Sequence, residues 1–165
     1  MVSLLLILSS PVPVLSQESA NEPYSYRSSF KPRVQSGYVD YLTVYAYITF
    51  RGLRPPNPPD KVLFGYALKS GDSPIPSDSS LILWADEEKL FLGAPFVKDC
   101  EYTGQIDQTQ KCHTFILSAE VFSKIANARR VQIRLGHIEF DVPEGNLESY
   151  RDLANGRSPI GKKGR

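Results

Sequence analysis

Residues 131–142 read Val-Gln-Ile-Arg-Leu-Gly-His-Ile-Glu-Phe-Asp-Val, two alternating runs hinged on Gly136-His137. Glycine in the first position of a two-residue loop suits a type II′ turn, whose twist matches that of the flanking strands. Closing the chain there pairs Leu135 with Ile138, Ile133 with Phe140 and Val131 with Val142 on one apolar face. The other face pairs Arg134 with Glu139 and Gln132 with Asp141, so opposite charges meet across the strands. Slipping the register by one residue would turn the apolar set outward, which specifies this pairing strongly.

Helical patterns flank the hairpin. Ser118 stands where an N-cap belongs, Glu120 favours the first turn, and Val121, Phe122, Ile125 and Ala126 form an apolar stripe. Asn127 is placed to end that helix in the left-handed conformation. Pro143 and Glu144 open a second helix, with Leu147, Tyr150, Leu153 and Ala154 along one side and Gly156 at its end.

Upstream, the period changes to two. Residues 41–50 put Leu42, Val44, Ala46, Ile48 and Phe50 on one face and Tyr41, Thr43, Tyr45, Tyr47 and Thr49 on the other. Both faces favour strand, which marks a central one. Residues 51–60 carry four prolines and lie outside any sheet, because proline donates nothing to a ladder. A strand over 61–70 follows, with Gly65 and Ala67 leaving room for close packing on the face away from Val62, Phe64, Tyr66 and Leu68. Residues 71–80 read as a turn-rich loop, and 81–93 as a hairpin around Asp86-Glu87-Glu88. Trp84, the single tryptophan, is expected to anchor the core of a sandwich.

The ends and the cysteines bear on compartment. No charged side chain precedes Glu18, and an apolar run closes on Val14-Leu15-Ser16. That pattern is expected of a signal peptide over residues 1–16 and implies export to the periplasm or beyond the cell. Pro11 and Pro13 interrupt the run, which is too short for the roughly 20 apolar residues of a membrane span. Residues 17–37 read as a flexible leader, 38–156 as one β-rich domain, and 157–165 as a disordered basic tail. Tyr24, Tyr26 and Phe30 are more aromatic than a linker needs, which leaves room for part of the leader to pack back. Cys100 and Cys112 are the only cysteines, and in an exported chain an even count favours a disulfide. Closing that loop contributes about 2–3 kcal/mol.

No catalytic constellation emerges. There are two histidines, His113 and His137, without a nucleophile motif or an orienting partner. No glycine-rich phosphate loop is present, so no nucleotide cofactor is implied. A net charge of +1 without a basic face argues against nucleic acid. Asp72, Asp78, Asp86, Glu87 and Glu88 lack the spacing of a calcium loop. The expected fold is a β-rich α+β domain, about eight antiparallel strands in a sandwich or curved sheet with two short helices near the C-terminus. The expected function is a non-catalytic exported module that binds a protein partner. The alternative is a small-ligand binder, for sugar or lipid, using Tyr41, Tyr45, Tyr47 and Trp84 as its face.

Overall fold

The hairpin closes in the register its alternation specifies. In a computed structural model, residues 24–34, 37–52, 54–69, 75, 80–99 and 110–158 are described. Val131–Leu135 pairs with Ile138–Asp141 through Gln132↔Asp141, Ile133↔Phe140, Arg134↔Glu139 and Leu135↔Ile138. Val142 N then donates to Val131 O at 2.8 Å, which completes the expected set. Gly136 has φ +58°, the left-handed value that the first residue of such a turn demands.

In chain order the elements are β1 (Tyr24–Phe30), β2 (Arg33–Val34), β3 (Gly37–Tyr38), β4 (Leu42–Phe50), β5 (Lys61–Lys69), β6 (Leu81–Ala85), β7 (Glu88–Leu90), β8 (Phe96–Asp99), β9 (Gln110–Ser118), α1 (Ala119–Asn127), β10 (Val131–Leu135), β11 (Ile138–Asp141) and α2 (Glu144–Ala154). They build a five-stranded sheet, β1-β4-β5-β9-β8, a four-stranded sheet, β11-β10-β6-β7, and the small pair β2-β3. Every pairing is antiparallel. The molecule is thus β-rich with two short helices late in the chain.

A single core joins these layers. Leu42, Val44, Ala46, Ile48, Val62 and Phe64 from the five-stranded sheet share it with Leu83, Val131, Ile133 and Leu135 from the four-stranded sheet. Phe122 and Ile125 of α1 and Leu147, Tyr150 and Leu153 of α2 enter the same cluster. The Tyr150 ring meets Phe64 edge-on at 6.2 Å and Phe122 at 5.6 Å. Burial pushes its hydroxyl above the usual tyrosine range. Ser118 Oγ accepts from Val121 N at 3.3 Å, the expected N-cap.

Several expectations change. The leader over 17–37 is not all leader, because Tyr24–Phe30 forms edge strand β1 against β4. Its serines hide the alternation, yet Tyr26, Ser28 and Phe30 lie opposite Ile48, Ala46 and Val44, and Tyr26 meets Phe50 at 5.0 Å. The signal peptide expected over 1–16 and the part of the expected basic tail beyond residue 158 lie outside the described residues. Asn127 does not end α1 in the left-handed conformation. It stays helical, its Nδ2 donating to Ser123 O at 2.9 Å, and Ala128 follows in an extended conformation at φ −62°. Trp84 is not a core anchor: Leu83 and Ala85 take the core side of β6, which turns Trp84 outward.

The acidic turn between β6 and β7 is structural. Asp86 holds φ +53°, a left-handed value that is uncommon outside glycine and that aspartate tolerates better than most residues. Its Oδ1 accepts from Arg129 N at 3.0 Å and Arg130 N at 3.1 Å, while its own N donates to Arg130 O at 2.8 Å. Glu88 meets Lys124 Nζ at 2.8 Å. Two carboxylates considered for calcium are therefore tying the hairpin to α1 and to the link that follows it.

Candidate interaction surface

The outer face of the five-stranded sheet carries the tyrosine stripe, and the register explains what becomes of it. Tyr45, Gly65 and Thr114 lie side by side on β4, β5 and β9. Gly65 has no side chain to block the way, so Tyr45 spans β5 and its hydroxyl meets Thr114 Oγ1 at 2.7 Å. A Cβ at Gly65 would collide with the His113 carbonyl oxygen. Tyr45, Tyr47, Ala67 and Cys112 form a second, smaller cluster, with Leu63 packed against it. Tyr45 and Tyr47 are only 3% and 6% exposed. Burial raises the Tyr45 pKa, against smaller lowering effects of the Thr114 hydrogen bond and the Arg27 guanidinium 5.5 Å from its ring.

Tyr41 does not belong to this stripe. It sits in the turn before β4, half-buried against the main core. Trp84 is on the other sheet, with the Arg134 guanidinium 5.2 Å from its ring and Glu139 bound to Arg134 in turn. The four residues expected to make one ligand face are therefore divided among three places, and the two tyrosines that share a face are covered.

The same outer face opens at its other end. A cleft of about 370 Å³ is lined by Thr49, Leu63 and Ile116 across β4, β5 and β9, with Pro56, Pro59 and Asp60 from the connection and Lys61 at the start of β5 beside them. Leu63 and Ile116 are directly paired. Ile116 is 55% exposed, and Phe96 and Phe91 are 38% and 91% exposed. Phe96 lies opposite Thr114, two residues from Ile116, so Phe96 and Ile116 are diagonal neighbours on one face, roughly 7–8 Å apart. Phe91 lies on the connection 91–95, which carries the chain from edge strand β7 to edge strand β8.

An open strand edge adjoins this cleft. β8 matches β9 only from Lys111 to Thr114, whereas β5 matches β9 through Ser118. Among the described residues no strand flanks 115–118 on the β8 side. Alternate residues of an antiparallel strand send their N–H and C=O to the same neighbour. The His113 carbonyl faces Gly65 on β5, so Ile116 directs its backbone groups to the open side. Sequence reasoning missed this surface. The available signal was the run Phe115-Ile116-Leu117, apolar on both faces of a strand that ends in a helix cap.

The remaining candidates carry no site. His113 is buried, stacked flat on Tyr66 at 4.6 Å and 6°, and burial lowers its pKa. His137 is exposed in the hairpin turn. Cys112 is buried beside Ala67, while Cys100 lies outside the described residues. Asp72 and Asp78 lie outside them as well. No three His, Cys, Asp or Glu side chains gather as a metal set among the described residues. No helix there is long and apolar enough to cross a membrane. The chain matches no family model, no curated protein and no solved structure.

Proposed function

We propose that this protein is a non-catalytic, exported interaction module that binds a protein partner through the outer face of its five-stranded sheet. The observation that carries this reading is the coincidence at Ile116 of exposed apolar side chain, cleft and open strand edge. Apolar side chains clustered on one surface favour a partner that removes them from water. The rigid sheet beneath supports a preformed site, which lowers the ordering cost of binding. The tyrosine platform of the ligand-binding alternative has no support in rings as covered as those of Tyr45 and Tyr47.

Photo-crosslinking tests this reading directly. Benzoylphenylalanine replacing Ile116 should yield a discrete protein adduct in extract of the source cells, and the same group replacing exposed Glu87 should not. Absence of an adduct at 116, or equal labelling at both positions, would overturn it. Export is checked separately, by N-terminal sequencing of the mature chain recovered outside the cytoplasm.

A further inference from the structure

Resting on that reading, we infer that the partner presents an extended peptide strand, antiparallel to β9, with an aliphatic side chain and, two positions before it, a carboxylate. The strand pairs with the open edge of β9 at Ile116. An apolar cleft alone would accept many shapes. A cleft beside unpaired backbone N–H and C=O groups selects an extended chain, because main-chain pairing satisfies the edge while alternate side chains fill the pocket. The residue set opposite Ile116 then covers Ile116 and Leu63, which are themselves paired across β9 and β5.

The charge follows from the next rung. Lys61 lies opposite Ser118 in the same register and borders the cleft, with only the small serine between it and the open edge. Lys61 is exposed at the start of β5, after a connection that carries exposed Arg51, Arg54 and Asp60. The Lys61 ammonium, one rung beyond Ile116 on the same face, favours an acidic group on the incoming strand. A spacing of two places that group on the same side of the strand as the aliphatic residue, pointing over Ser118 toward the Lys61 ammonium.

The test uses the folded mature chain and the capped peptide Ac-Thr-Thr-Glu-Thr-Val-Thr-Thr-NH2, followed by backbone amide shifts. The expected result is saturable binding, with shifts concentrated at 115–118 and about tenfold weaker binding when lysine replaces the peptide glutamate. Lys61→Glu should reverse that preference, and Ile116→Asp should abolish binding by both peptides, each variant keeping its near-ultraviolet dichroism. Failure to saturate by about 1 mM, unchanged binding by Ile116→Asp, or shifts confined to the four-stranded sheet overturns the inference. Decanoate reproducing the same shifts without the peptide doing so identifies a small amphiphile as the occupant and overturns it too. An adduct from position 116 without any peptide response removes the strand-pairing inference alone and leaves the interaction reading standing.

Discussion

Gly65 organises the outer face of the large sheet by what it lacks. With no side chain at the middle of three matched positions, Tyr45 crosses to Thr114 and closes over the strand between. Gly65→Ala forces a methyl onto the His113 carbonyl, so the two strands must part or the variant must strain. The expected cost lies at the upper end of the roughly 1–3 kcal/mol typical of overpacking, read as a lower urea midpoint at unchanged slope. A loss under about 0.5 kcal/mol would show that the strands are not held that close. His113 gives a second residue-level expectation, and its sign is fixed by burial. The folded-state pKa is lowered from 6.5, so the unfolded chain takes up a proton first as pH falls. The stability this neutral imidazole contributes is present above pH 6.5 and is lost as pH falls through 6.5 toward the folded value. Thermal melts at successive pH values should show a component that flattens in His113→Phe; identical pH profiles would remove His113 as its source. The two faces of β4 were legible because alternation tells which side chains share a side. Whether a side is covered was not legible, since that depends on neighbours far off in the chain. The Tyr45–Thr114 contact joins residues 69 positions apart.

At the scale of elements, local rules did most where turn, register and charge agree. The β10–β11 hairpin satisfies all three, and its ion pairs differ from the expected set in one respect. Asp141 lies opposite Gln132, yet its carboxylate is held at both oxygens by Arg130, at 3.0 and 3.1 Å. Ile133→Ala or Phe140→Ala should each cost about 2–5 kcal/mol, because both side chains enter the shared core. Near-neutral denaturation midpoints for the two together would contradict the face assignment. The Asp86 turn is more demanding. Asp86→Asn keeps an oxygen for Arg129 N and Arg130 N and tolerates the left-handed φ, whereas Asp86→Ala loses both advantages. Asp86→Ala is therefore expected to cost about 1–2 kcal/mol more than Asp86→Asn in chemical denaturation. Equal losses would mean that the backbone contacts contribute little. Sequence showed an acidic turn there but not its partners, which lie more than forty residues on. β1 escaped for a different reason. An edge strand needs only one apolar side, and Ser28 interrupts even that between Tyr26 and Phe30.

For the whole molecule, the path of the chain between the two sheets sets what its covalent bonds can do. Both sheets contribute to one core, and the chain passes between their edges through the exposed connection 91–95 into β8. β8 is short, ends at Asp99 one residue before Cys100, and pairs with the β9 segment that contains Cys112. A bridge from Cys100 to Cys112 would fasten this edge strand to the sheet and hold residues 101–111 as a closed loop. It would also agree with export, since such bridges persist in oxidising compartments. Mass spectrometry of the unreduced protein is expected to find neither cysteine open to alkylation. Reduction should then lower stability by about 2–3 kcal/mol, the loop-closure value for a ring of this size, less any strain. Because α1 follows β9 directly and packs into the shared core, reduction should loosen β8 without unfolding the helices. Hydrogen exchange would then rise at residues 96–99 first, with β10 and α2 still protected. Two alkylatable thiols in freshly isolated mature protein would remove the bridge, and with it the strongest chemical argument for an oxidising compartment. Uniform loss of protection on reduction would instead keep the bridge and deny that β8 is an independently releasable edge.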